Sequence, residues 1–256
     1  MGGPWQTAGA AVRGSAHAEA GRPCQDAFAA STAGPWLVAA VCDGAGSARH
    51  ADVGATVGAG AVVEALTVAL SAGGPDGPTA MQPATIRAAI EAAREAVGAA
   101  LHARLGLRPA TLDAAHATLV GVAATASGGL LFHVGDGLGA AVTAAGTVVS
   151  PPENGTYANE TFFFTEPDWA PHLRLTPFDG PVETLLLMSD GAAALATAPG
   201  GRLLDGFVRP ITSYLGTVPR EVGEAALRDT LAHERTDALT DDDKTVFWAR
   251  PRPTGP

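Results

Sequence analysis

At 256 residues the chain has room for one large domain or two small ones, at about 150 residues per domain, and 46% hydrophobic with 16% charged residues excludes an intrinsically disordered polymer. Sixteen basic against 26 acidic residues give a net charge of −10 and a pI near 5.0, which argues against nucleic acid or an anionic membrane as partner. No run of about 18 uninterrupted apolar residues occurs, and no basic segment followed by a hydrophobic run opens the chain. The expectation is therefore no membrane span, no secretory signal and a cytoplasmic home.

Strand-like runs come first, at residues 26–31 and 35–42, followed by two segments of helical periodicity at 51–70 and 85–105. In the second, Ile86, Ile90, Ala93, Val97 and Leu101 recur on one helical face. Apolar runs at 118–125, 130–135 and 139–145 read as further strands, separated by glycine or polar residues as hairpins require. Residues 150–183 read as an irregular excursion, with FFFT at 162–165 a short strand candidate inside it, and its aromatics Tyr157, Phe162 to Phe164 and Trp169 are placed either to contact a protein substrate or to pack beneath the segment. A strand at 184–189, a helix at 219–235 opened by Pro219 and a strand at 245–250 complete the order. Regular strand–helix alternation is absent, so the fold class is α+β rather than a doubly wound parallel sheet. The organisation expected is a single domain over 1–250, with 150–183 a flap-like insertion and 251–256 a flexible tail. Phe132, Met188 and Trp248 are core candidates. Cys24 and Cys42 are too few for a disulfide framework and lack zinc-ligand spacing.

The chemistry concentrates at aspartates. Asp26, Asp43, Asp136 and Asp190 each stand where an apolar strand begins or ends, and Asp241, Asp242 and Asp243 immediately precede the last strand. Asp-Gly by itself is an ordinary turn dipeptide. Three such pairs, at 43, 136 and 190, each follow directly on an apolar run, a context that surface turns have no reason to share. Carboxylates at the rim of a sheet suit hard cations such as Mg and Mn, which take oxygen ligands.

Five stretches, VCDGAGSARHADVGA, HATLVGVAAT, FHVGDGLGAAV, LLLMSDG and DDDKTVFWA, occur in an order and spacing that resembles the metal-dependent type 2C serine/threonine protein phosphatases. SAHAEAGRPCQDAF is similar to the first motif of a bacterial branch of that family, and the likeness spans roughly residues 12–250. The resemblance implies a sandwich of two antiparallel sheets flanked by helix pairs. It implies that Asp43 bridges two Mn or Mg ions, that the Gly44 carbonyl serves the second, and that Asp190 and Asp242 complete the first. Asp26 would hold the second ion's waters, and Asp136 with Asp190 a weaker third ion. The chain departs from the family at three points. Ala45 stands where many members have histidine or methionine, Gln25 where many have glutamate, and Gly21 where a phosphate-binding arginine is expected, leaving Arg22 and His17 as the nearby phosphate ligands.

The implied activity is hydrolysis of phosphoserine and phosphothreonine on proteins, with a bacterial Ser/Thr kinase as the opposing partner. Two metals sharing a carboxylate stand about 3.5–4 Å apart and supply hydroxide near neutral pH, which a phosphate monoester requires. No Cys-x5-Arg run, GxSxG elbow or GxxxxGK[ST] loop is present, which weakens cysteine, serine and nucleotide chemistries. His17 and His50 are the candidates for protonating the leaving group. A catalytically weak relative that serves as a phosphoprotein-binding or regulatory module is the alternative reading, motivated by Gln25, Ala45 and the displaced arginine. Hydrolysis of a small phosphorylated metabolite is a remoter one.

Overall fold

The computed structural model describes residues 3–73, 82–105, 112–154, 161–198 and 202–253. From the N-terminus come β1 (Trp5–Val12), α1 (Ser15–Glu19), the hairpin β2 (Asp26–Ala33) and β3 (Trp36–Asp43), then α2 (Ala51–Gly73) and α3 (Pro83–Leu105). There follow β4 (Leu119–Thr125), β5 (Gly128–Val134), β6 (Leu138–Thr143), β7 (Gly146–Ser150), β8 (Arg174–Asp179) and β9 (Val182–Met188). The chain ends with α4 (Asp190–Ala196), the short pair β10 (Thr197–Ala198) and β11 (Arg202–Leu203), α5 (Asp205–Leu215), α6 (Arg220–Leu231), α7 (Glu234–Asp237) and β12 (Lys244–Pro251).

Ten of these strands make two five-stranded antiparallel sheets, ordered β1-β12-β9-β6-β7 and β2-β3-β4-β5-β8. The period-2 alternation of a strand explains how each is buried on both faces. Along β3, Leu37, Ala39 and Val41 face the other sheet, whereas Val38, Ala40 and Cys42 lie under α2 and α3. Along β12, Phe247 and Ala249 face inward between the sheets, and Val246 and Trp248 lie under the helices of the opposite side. The result is four layers, helix–sheet–sheet–helix, with three apolar clusters between them. By length and composition α2 is apolar enough to cross a membrane. Here its Ala55, Ala59, Val62, Val63 and Leu66 are buried in the cluster it shares with α3 and the sheet.

Most expected elements are present within a few residues of their sequence bounds, and Phe132, Met188 and Trp248 are fully buried. FFFT is not a strand. Phe164 is a buried anchor whose ring fills the space a Cβ on Gly58 of α2 would occupy, and its N–H donates to Ala117 O. The excursion at 150–183 is shorter than the sequence suggests, because its end forms β8, the edge of the second sheet. The tail also starts later than expected: Pro251 still pairs with Trp5, and Arg252 N–H donates to Pro4 O. The Gly/Pro-rich stretches 74–81 and 199–201, and Tyr157, lie outside the described residues.

Candidate active site

Strand parity and hairpin register bring the acids together. Asp43 continues the inward-facing row Leu37, Ala39, Val41, and Asp26 stands directly opposite it in the β2–β3 register, so both point toward one open end of the sandwich. Thr118 clamps Asp43, its hydroxyl accepting from Asp43 N–H at 3.2 Å and its own N–H donating to Asp43 O at 2.8 Å. Asp190 opens α4 and accepts from Gly191 N–H at 2.5 Å. The 241–243 loop crosses above α4: a Cβ on Gly191 would meet Asp243 O at 2.1 Å, and one on Gly14 would meet the Asp242 backbone at 2.2 Å. Glycine at both positions is what lets that loop close over the site.

The cleft so formed has a volume of about 410 Å³, and Asp43, Gly44, Asp136, Asp190, Asp241 and Asp242 line it together with His17, Thr118, Thr161 and Phe163. No lysine or arginine is among the described lining residues. The electrostatics follow. Burial pushes Asp26 up to about 7, with Asp243 and Asp190 adding to the rise while the Ser189 and Thr245 hydroxyls pull it back. Asp43 is driven well above the usual carboxylate range by burial and then by Asp26 and Asp190. Asp190 rises to about 6, and Asp136 and Asp242 rise too, burial leading in each case. Both carboxylate oxygens of Asp26 are buried without a hydrogen-bond partner of good geometry.

Six sequence-predicted positions, Asp26, Asp43, Gly44, Asp136, Asp190 and Asp242, thus gather at one end of the sandwich. Of the two phosphate candidates, His17 lines the cleft, whereas Arg22 is exposed at its rim and donates to Gly46 O at 2.8 Å. His50 is not among the lining residues. Phe164 and Trp169 are buried and not free to touch a substrate, but Phe163 does reach the cleft, stacked on His116 at 5.1 Å. Arg94 of α3 ties this segment down, donating to Phe164 O at 2.7 Å and Glu166 O at 2.5 Å, while Glu91 accepts from the Trp169 indole at 3.0 Å. Sequence reasoning missed Thr118 and Ser189, and it named Asp243 only as part of the acidic triplet, without a role of its own. Burial, then Asp26 and Asp243, raise the Cys24 thiol to about 12, so no thiolate nucleophile is at hand.

The fold and the site together define an α+β sandwich of two antiparallel sheets with an acidic cleft at one rim. The chain matches the family model described as Protein phosphatase 2C over residues 13–232 and belongs to that family. It is 28% identical over 263 residues to "Serine/threonine-protein phosphatase 3" of Escherichia coli (strain K12), covering 96% of this chain and 99% of that one. Among solved structures it is similar to the catalytic domain of the serine threonine protein phosphatase PstP in complex with two manganese ions, at a TM-score of 0.59 and 18% identity, over 96% and 97% of the two chains. The Mycobacterium tuberculosis PstP structure gives 0.57 at 18% identity over 97% and 99%, and PppA of Pseudomonas aeruginosa 0.59 at 17% over 97% and 98%.

The donor set fits hard divalent cations. It is all oxygen, and its mutual repulsion is what a cation would relieve. The buried, unpartnered oxygens of Asp26 lie behind it. Among the described residues no group of three His, Cys, Asp or Glu side chains is arranged to hold an ion as it stands. Uncompensated like charges do not draw up to coordinating distance.

Proposed function

We propose that this phosphatase 2C family member is a protein serine/threonine phosphatase that hydrolyses phosphoserine and phosphothreonine with the help of Mn or Mg. The observation that carries the reading is the cleft itself, where Asp43, Asp190 and Asp242 converge with Asp26 behind them. Asp43, Asp190, Asp242 and the Gly44 carbonyl would hold two ions, Asp26 would orient the waters of one, and Asp136 with Asp190 would hold a weaker third. When bound, such ions would neutralise phosphate charge and lower the pKa of a bound water. Thr118 fixes the Asp43 backbone, and Gly191 N–H fixes one oxygen of Asp190, so neither acid has to reorganise as charge develops. Phe163 supplies an apolar wall from the 161–172 segment. The phosphorylated substrate must come from a Ser/Thr protein kinase.

The test is turnover of a phosphothreonine peptide with and without Mn, beside an Asp43→Asn control. Metal-dependent turnover at least about 100-fold above the control supports the reading, since a buried ligand to the reacting centre carries several kcal/mol. Gln25 and Ala45, which stand where many members of the family carry glutamate and histidine or methionine, favour a second reading, a phosphoprotein-binding module with weak catalysis. Tight binding of the phosphopeptide without turnover would select it.

A further inference from the structure

His17 is held in a way that its place on α1 does not require. Its Nδ1 stands 2.9 Å from Asp243 Oδ2, and the ring is 13% exposed while Asp243 is 1% exposed. Asp243 also accepts from Gly14 N–H at 2.7 Å on Oδ1 and from Gln25 N–H at 2.5 Å on Oδ2. A carboxylate only accepts, so the proton between the two side chains belongs to Nδ1. Nε2 is then the nitrogen left for other work, and among the described residues no hydrogen bond engages it. The ring lines the same cleft as Asp43, Asp190 and Asp242, and Asp241 and Asp242 are the other charged groups facing that corner. His17 is the only nitrogen base among the described lining residues.

Resting on the phosphatase reading above, we infer that His17 is the general acid for the leaving group, with Asp243 as its positioning residue. Water attacks phosphorus and gives up one proton to solvent as the new P–O bond forms. The bond from phosphorus to the seryl or threonyl oxygen breaks, its electron pair stays on that oxygen, and the Nε2 proton of the His17 imidazolium moves there to give the neutral alcohol. His17 is left neutral with Nδ1–H on Asp243 and takes its next proton from solvent. An alkoxide is a poor leaving group and needs this proton, whereas an aryl oxide such as p-nitrophenolate leaves unaided.

That difference is the test. The expected result is that His17→Ala and His17→Gln lower kcat on a phosphothreonine peptide by about 100-fold or more, yet keep turnover of p-nitrophenyl phosphate within a few fold. The aryl substrate also reports that the variants fold. In nitrogen-15 spectra of the metal-free protein, His17 should carry its proton on Nδ1, and Asp243→Asn should abolish that preference while lowering peptide turnover alone. Equal losses on both substrates would mean phosphate binding or structural damage and overturn the inference, as would no loss on either. A proton on Nε2 rather than Nδ1 in neutral His17 would also sink it. A wild type that turns over neither substrate would instead defeat the phosphatase reading, and this one with it.

Discussion

Replacing Asp26 by asparagine should make the metal-free protein more stable at alkaline pH. Asp26 holds its proton up to about pH 7 in the folded chain against an ordinary 3.8, because it is buried with Asp243 and Asp190 nearby. Between those two values the native state binds a proton that the unfolded chain has released, so stability falls as pH rises. Below the lower value both states are protonated and nothing is lost. Roughly three pH units at about 1.4 kcal/mol each set an upper bound of about 4 kcal/mol. For a chain of this size that corresponds to about 10 °C in melting temperature. Thermal melts of chelator-treated wild type and Asp26→Asn at pH 5 and pH 8 measure it. The variant should lose most of the decline and melt above the wild type at pH 8, with Asp190, raised to about 6, leaving a residual slope. Manganese should then stabilise the wild type more than the variant. An identical pH slope in the two proteins would refute the argument, because it would mean that Asp26 ionises without penalty where both its oxygens are buried and unpartnered.

Arg94→Ala removes the donor that holds Phe164 O and Glu166 O, and should cost about 2–3 kcal/mol in denaturant unfolding while raising amide exchange across 161–172. Phe164→Ala empties a site of zero exposure between that segment and α2, with an expected loss of about 3–5 kcal/mol in the same assay. The chain's one lysine, Lys244, is fully buried with Nζ 2.7 Å from Asp237. Lys244→Met should therefore be tolerated better than Asp237→Ala, which strands the buried charge; a more stable Asp237→Ala protein would contradict this.

The sequence displays those elements whose burial pattern and composition agree. WLVAAVC is buried on both faces and reads as a strand at sight, and the periodic α3 reads as a helix. β1 is WQTAGAAV, whose Ala and Gly carry little strand propensity; pairing with β12 along its whole length makes it a strand. α5 contains Pro210 and β-branched residues that argue against a helix, yet its apolar side is partly buried in the outer cluster. β8 is hidden by Pro177, which an edge strand accommodates. In the site, an Asp after an apolar run was a visible signal for Asp43, Asp136 and Asp190. The triplet at 241–243 was visible too, but the separate role of Asp243 was not, because its meaning lies in Gly14, His17 and Gln25, more than 200 residues away in sequence.

The 241–245 segment shows why the acid geometry depends on the core. Asp242 faces the cleft, Asp243 turns inward to three donors, Lys244 reaches Asp237, and Thr245 N–H donates to Ser189 Oγ at 2.9 Å. Consecutive side chains take opposite sides, so a one-residue slip of β12 would exchange the roles of Asp242 and Asp243. The same slip would carry Phe247 out of the space between the sheets and Trp248 out of the helix-covered face. Register is held by Val12–Lys244 through Trp5–Pro251 on one side and Val246–Met188 through Ala249–Leu185 on the other. Removing either large side chain from its layer costs about 3–5 kcal/mol, comparable with the upper bound on ionising the buried Asp26. The apolar register of β12 is thus what keeps Asp242 among like charges and Asp243 beneath His17.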